Sequence, residues 1–382
     1  MPATTAAATR THLAEDIFPG HPDRIADAVA ELIVDEAIRQ DPDALVGVEV
    51  AVHRRSVFVT GRVAACAPGT GAGPGGAPLL DLDAIAARAF ATAGYTGAWE
   101  VGPSVAADLD LGSLADDERG IRRYSDDQNI VVGHAEGSEG TAWLPAAPFA
   151  VRRLRERLVG LRGEAPGRLG PDGKVLIRID ECDGRYAWGR INVSLHHAPD
   201  AGGYEELYAL VLPALAAESE ALDAALPGLG ESFDAELVHL NGAGDFSCGG
   251  TFGDNGLSAK KLVVDGYGPG VPIGGGALCG KDPHKVDRVG AVAARQLAVR
   301  LVRDAGAGSA TVLLGWLPGQ ERPEPIVARV DGEEWDDARV RRAIAVPDLS
   351  IESIFQRFEL ASVRWVDRMR DGYFGSGAAW ER

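Results

Sequence analysis

Five lysines are the residues to start from. Of the chain's 38 basic residues, 33 are arginine and only Lys174, Lys260, Lys261, Lys281 and Lys285 are lysine. Where arginine serves for ordinary surface charge, a retained lysine marks a place that needs a compact, strongly hydrated point charge on a flexible stem. Four of the five lie between 260 and 285, in glycine-rich sequence. Residues 274–288, GGGALCGKDPHKVDR, interleave Lys281 and Lys285 with Asp282 and Asp287. Glycines admit a polyphosphate close to the backbone, lysines neutralise it, and the two aspartates offer oxygen ligands for magnesium. The stretch is not a Walker loop, because no Ser or Thr follows Lys281 and the glycine spacing differs. Residues 240–261 add Phe246, a flat face for a nucleobase, and the adjacent pair Lys260 and Lys261. A third segment, EDIFPGHPDR at 15–24, sets His21 and Asp23 at the start of a helix, where free amides favour anions. There His21 can donate to a leaving phosphate oxygen and Asp23 can hold magnesium.

The elements that must position these residues follow from periodicity. Apolar residues at three- and four-residue spacing predict a helix over 21–40, with Pro22 in its first turn. Alternation around His53, Arg54 and Arg55 predicts a β-hairpin over 46–63. Further helices are expected at Leu82 to Ala93, Phe149 to Leu161, Tyr204 to Leu226, Asp287 to Ala305, Asp336 to Ala345 and from Ile351. Strands are expected at Lys174 to Asp180, Tyr186 to Leu195, Leu262 to Val264, Ala310 to Leu314 and Ile326 to Val330. Residues 65–78 read as a loop, and the acidic, aperiodic stretch 108–127 as a mobile lid. Helices and strand pairs thus recur in three blocks, an α+β class, with units expected at 10–118, 127–246 and 247–382.

A net charge of −18 repels nucleic acid and acidic membrane surfaces, leaving local basic patches to bind anions. With no apolar run of membrane-spanning length and no signal-like start, a soluble cytoplasmic protein is expected. Four scattered cysteines form no CxxC pair, so neither zinc site nor disulfide framework is implied.

In these segments the chain resembles the methionine adenosyltransferases, or S-adenosylmethionine synthetases. The residues that carry the likeness are GHPDRIAD at 20–27, DDQN at 126–129, GPDGK at 170–174, GDNGLSAKK at 253–261, the 274–288 stretch, and the ending GYFG with Trp380 and Glu381. The resemblance implies three α+β units about a pseudo-threefold axis, in a homodimer or homotetramer with active sites between subunits. It implies that a thioether sulfur displaces the whole triphosphate from carbon 5′ of ATP, and that the triphosphate is then cut to pyrophosphate and phosphate. Position by position, it makes His21, Lys174, Lys281 and Asp127 catalytic. Asp172, Phe246, Asp254, Lys260, Lys261 and Ala277 join His21, Lys174 and Lys281 in binding ATP. Asp254 and Lys285 touch the amino acid, Asp23 and Asp287 hold two magnesium ions, and Glu49 holds potassium. The departures cluster at the amino-acid pocket: Arg62 stands where the family has a glutamate for the methionine ammonium, Pro19 replaces a glutamate, Asp245 replaces an arginine, and Trp316 takes an apolar substrate-facing position. The family likeness makes L-methionine the expected nucleophile, the departures make a methionine analogue the alternative, and a catalytically weak regulatory homologue is a third reading.

Overall fold

The computed structural model describes residues 9–382 with the exception of 67, 68, 72, 74 and 75. Those five fall in the loop expected over 65–78, so that expectation lies partly outside the described residues. Among the rest, twelve strands form three four-stranded sheets. The strands are β1 (Arg10–Ile17), β2 (Leu45–His53), β3 (Ser56–Ala64), β4 (Ser104–Gly112), β5 (Asn129–Glu136) and β6 (Leu169–Cys182), followed by β7 (Arg185–His197), β8 (Val238–Leu240), β9 (Asn255–Leu257), β10 (Ser309–Trp316), β11 (Val327–Val330) and β12 (Glu333–Trp335).

The sheets are not built from contiguous sequence. Their orders are β1-β6-β7-β8, β5-β10-β11-β12 and β9-β2-β3-β4. In each, one edge strand comes from a different third of the chain and pairs antiparallel with the first strand of the local hairpin. The exchange is cyclic: the first third lends β1 to the middle sheet, the middle third lends β5 to the last, and the last third lends β9 to the first. After each lent strand comes a long helix, α1 (Pro22–Gln40), α4 (Ala146–Glu164) or α7 (Val286–Arg303), and then the hairpin.

The remaining helices are α2 (Leu82–Thr92), α3 (Asp116–Ile121), α5 (Tyr204–Leu222), α6 (Leu262–Asp265), α8 (Asp337–Ala343), α9 (Ile351–Arg357) and α10 (Trp365–Asp371). One apolar core is shared by α1, α7 and the sheets containing β2 and β10, while a second lies under α4, α5 and the β6–β7 hairpin.

Two expectations are corrected. Leu262 to Val264 is helical, because the Asp265 and Gly266 N–H groups close back on the Lys261 and Leu262 carbonyls. The stretch 108–127 is not a free lid. Its first residues extend β4, parallel to β3, residues 116–121 fold as α3, and the segment is tied down by Arg119 to Asp41 and Asp43 and by the buried Arg122 to Asp282.

Candidate active site

The turn from β1 into α1 carries the first group. His21 is the N-cap of α1 with extended backbone, and Pro22 occupies the first helical position. The Asp23 N–H donates to His21 Nδ1 at 3.2 Å, so the ring proton sits on Nε2. Burial pulls the imidazole pKa down to about 4; Asp23 opposes that shift and Lys261 and Lys174 reinforce it. His21 is thus a neutral donor at pH 7. The turn is docked on β6, with Phe18 N–H on the Gly173 carbonyl and Gly20 N–H on the Pro171 carbonyl. A Cβ on Gly20 would lie 2.4 Å from the Pro171 oxygen, so only glycine allows that approach. The Tyr95 hydroxyl donates to the Gly20 carbonyl at 2.7 Å and fixes the other side.

Around the turn stand three of the five lysines. Asp23 is almost wholly buried and receives Lys261 Nζ and the Leu257 N–H, with Lys260 Nζ at 3.8 Å. Burial alone would raise its pKa, but these hydrogen bonds outweigh it and hold the carboxyl below its usual range. Lys174, opposite Ile17 in the β1–β6 register, pairs with Glu15 at 2.7 Å. Asp172 is buried and accepts the Gly173 and Gly250 N–H groups, which pins the 249–257 segment to β6. Burial raises its pKa to about 6 despite those bonds. The Phe246 ring lies 5.5 Å from His196, which also meets Trp99 edge-on at 4.6 Å. Asp254 is exposed and close enough to His21 to raise its pKa slightly.

The second group lies on the glycine-rich loop before α7. Gly275 N–H bonds the Ile130 carbonyl at 2.7 Å, and a Cβ on Gly276 would overlap Asp287. Lys281 Nζ donates to Asp287 Oδ1 at 2.6 Å, Lys285 pairs with Asp126, and Ala277 sits between the glycines and the first lysine. Both groups border β2. Lys281 bridges to Gly47, while Leu257 of β9 pairs with Ala51. The two contacts are four positions apart on the strand, about 13 Å at about 3.3 Å per residue. Glu49, exposed on the same strand, stands between them.

Some expected residues sit elsewhere. Asp282 is no metal ligand: it is fully buried, accepts the Val46 and His284 N–H groups and pairs with Arg122. Trp316 is not at a substrate surface, being 1% exposed and packed beneath Gly290. Asp126 meets Lys285, whereas Asp127 accepts only its neighbour's N–H through its side chain. Arg62 is bracketed by Asp110 at 2.9 Å and by Glu118, so its charge is already countered. Tyr95 and His196 escaped the sequence reading, and Pro171 entered it only inside the GPDGK segment, since each acts on a partner more than 45 residues away. Among the described residues no three His, Cys, Asp or Glu side chains converge as a ready metal cluster, and no helix is long and apolar enough to cross a membrane.

Comparison with known proteins accounts for the same segments. Residues 9–102 match the model of the S-adenosylmethionine synthetase N-terminal domain and residues 248–382 that of its C-terminal domain. The S-adenosylmethionine synthase of Methylorubrum populi is 30% identical over 388 residues, spanning 96% of this chain and 95% of that protein. The S-adenosylmethionine synthase of Corynebacterium urealyticum is 31% identical over 395 residues, spanning 98% and 96%. With relatives at that identity running nearly end to end, and both terminal domains matched in order, this chain belongs to the S-adenosylmethionine synthetase family.

Proposed function

We propose that the protein is a methionine adenosyltransferase that forms S-adenosylmethionine from L-methionine and ATP. The methionine sulfur attacks carbon 5′, the C5′–O5′ bond breaks, and the triphosphate leaves whole before being cleaved to pyrophosphate and phosphate. The observation that carries this reading is the placement of every lysine beside a carboxylate in two groups flanking one stretch of β2. Lys174, Lys260, Lys261 and Lys281 would neutralise the triphosphate. His21, neutral and bearing its proton on Nε2, would donate to the oxygen where charge develops as the C5′ bond breaks. Phe246, backed by His196, would stack the adenine. Asp254 and Lys285 offer opposite charges for the two ends of the amino acid, and Asp126, which already holds Lys285, shares with Asp127 the role expected of the 126–129 segment.

Asp23 and Asp287 fit magnesium by donor chemistry: each is a hard oxygen ligand beside a lysine, in a site where phosphates and water would complete the coordination. When bound, magnesium neutralises polyphosphate charge and eases departure of the leaving group. Glu49, with no ion-pair partner among the described residues, is the position for potassium. Asp254 and Lys285, the two residues expected to touch the amino acid, belong to different groups of the same chain. That division supports a homodimer or homotetramer in which one copy's His21 group faces another copy's Lys281 group. The cyclic strand exchange supports the pseudo-threefold relation of the units, and the hairpins and long helices suit a division near 10–118, 127–246 and 247–382 in which each unit lends one edge strand to another. The relatives' shared name and the countered charge of Arg62 support L-methionine over an analogue. The test is mass spectrometry of products from ATP with L-methionine, beside a panel of other thioethers. S-adenosylmethionine with equimolar pyrophosphate and phosphate is expected. Adenosyl transfer only to other acceptors, or ATP hydrolysis without transfer, would overturn the assignment.

A further inference from the structure

Behind the β1–α1 turn lies a separate cavity of about 180 Å³. Ile17, Pro19 and Arg24 line it, whereas His21 and Asp23 of the same turn do not. Its charge is unusual for so acidic a chain: six arginines face two carboxylates, Asp16 and Asp367. Four of the six are committed. Arg24 pairs with Asp27 and Asp265, Arg155 with Asp16, and Arg364 and Arg370 with Asp367.

Arg88 and Arg152 have no ion-pair partner among the described residues. Arg88 lies on the exposed side of α2 at the cavity rim. Arg152 is 9% exposed and makes one hydrogen bond, Nη1 donating to the Phe374 carbonyl at 2.6 Å. Burial lowers its pKa and Arg155 adds to that, while Asp16, Glu156 and Glu381, none within ion-pair distance, oppose. A guanidinium taken out of water without a direct ion-pair partner is costly, and a bound anion would offset that cost. The other wall is apolar, formed by Leu32, Val366 and Met369.

We propose that this cavity binds a small organic anion, its carboxylate or phosphate head on Arg152 and Arg88 and its apolar body against Leu32, Val366 and Met369. An occupant would press on Ile17 and Pro19, in the turn that carries the active-site histidine, which makes the cavity a regulatory site distinct from the polyphosphate groups. This inference does not depend on the adenosyl-transfer reading.

Isothermal titration of the full chain tests it with three probes: hexanoate, hexyl phosphate and inorganic phosphate. Hexanoate or hexyl phosphate should bind once per chain, and the better of the two identifies the head group. Inorganic phosphate, lacking the apolar body, should bind more weakly than hexyl phosphate. Arg88→Gln should weaken binding by about tenfold, the loss of one charge-assisted contact. Arg152→Met should weaken it further, with Arg152→Lys as the variant that keeps charge and fold. Lys281→Ala should leave the affinity unchanged. The proposal is overturned if neither amphipathic anion binds, if Arg88→Gln binds as well as the parent, or if Lys281→Ala abolishes binding. Inorganic phosphate binding as tightly as hexyl phosphate would remove the apolar half of the site.

Discussion

One face of α1 carries four carboxylates spaced a helical turn apart, Asp23, Asp27, Glu31 and Asp35, and their partners change along the helix. Asp23, at the mouth, is held by Lys261 with Lys260 nearby. Asp27, one turn deeper, takes Arg24 and the Ala259 N–H. Glu31 is fully buried against both Arg288 and the Tyr373 hydroxyl, and Arg288 stacks 4.2 Å from the Trp365 ring. Asp35 accepts the Trp365 and Val366 N–H groups. The same division runs through the molecule. Buried pairs such as Glu31–Arg288, Asp282–Arg122 and Glu381–Arg295 use arginine, while every lysine pairs at a partly open position. A planar fork suits a permanent bidentate partner; a flexible ammonium can exchange a carboxylate for a phosphate. The interior pairs hold the fold, and the mouth pairs are the ones proposed to exchange a carboxylate for a phosphate.

The comparison breaks most visibly at Arg288. Arg288→Met leaves Glu31 buried without its counter-charge, so unfolding free energy should fall by about 3 to 5 kcal/mol. The double variant Glu31→Gln with Arg288→Met should recover much of that loss. Urea denaturation measures both, and a single variant as stable as the parent would mean that the interior pair does not hold the α1–α7 seam.

Lys281→Ala should do the reverse. If Lys281 serves the triphosphate as proposed, its removal should cost about 2 to 4 kcal/mol of transition-state stabilisation. Because Lys281 is partly exposed, stability should change little. Turnover within twofold of the parent would end its assigned role, and a stability loss matching that of Arg288→Met would erase the distinction between mouth and interior.

The third prediction concerns pH. Unfolded, His21 takes up its proton near 6.5; folded, it does so only at about 4. The folded state therefore binds fewer protons in that window. The stabilisation is complete above pH 6.5 and is lost as pH falls toward 4. His21→Asn should make the stability–pH curve shallower there by up to one proton, about 1.4 kcal/mol per pH unit. Turnover of the parent should show no acid limb near 6.5. A limb at that pH traced to His21 would show a solvated, titrating imidazole instead of a buried neutral donor.

The segments of the candidate site were legible because their chemistry is local: histidine, glycine and lysine in short stretches point to anion binding without any fold. The long helices were equally legible, since amphipathic periodicity is a property of one segment. What distant partners decide was not. Nothing in residues 10–17 says that they pair with 174–181, or that 129–136 lies beside 309–316. The triplet Leu262 to Val264 is too short for periodicity to tell helix from strand, and two backbone hydrogen bonds settle it as α6. Asp282 has the spacing of a metal ligand but is claimed by Arg122, 160 residues away in sequence. The α1 carboxylates, which by type alone belong on a solvated face, turn inward because arginines and amides from other segments meet them.

Arg62 is the smallest expected effect and the sharpest check on the amino-acid end of the site. Read alone, a guanidinium where the family has a carboxylate would repel the methionine ammonium. In the folded chain Asp110 lies at 2.9 Å in register on β4 and Glu118 reaches it from α3, so the cluster carries net negative charge. Arg62 is 43% exposed, and such pairs contribute at most about 1 kcal/mol. Arg62→Gln should therefore leave unfolding free energy within about 1 kcal/mol and KM for L-methionine within about threefold. Arg62→Glu should do more harm, because it sets three carboxylates together and repels Glu118, loosening α3. A rise in kcat/KM for L-methionine in Arg62→Glu, with no gain in Arg62→Gln, would show that the ammonium lacks a carboxylate in the parent. Equal and small effects in both would mean that Asp110 and Glu118 already supply the negative charge the substrate needs.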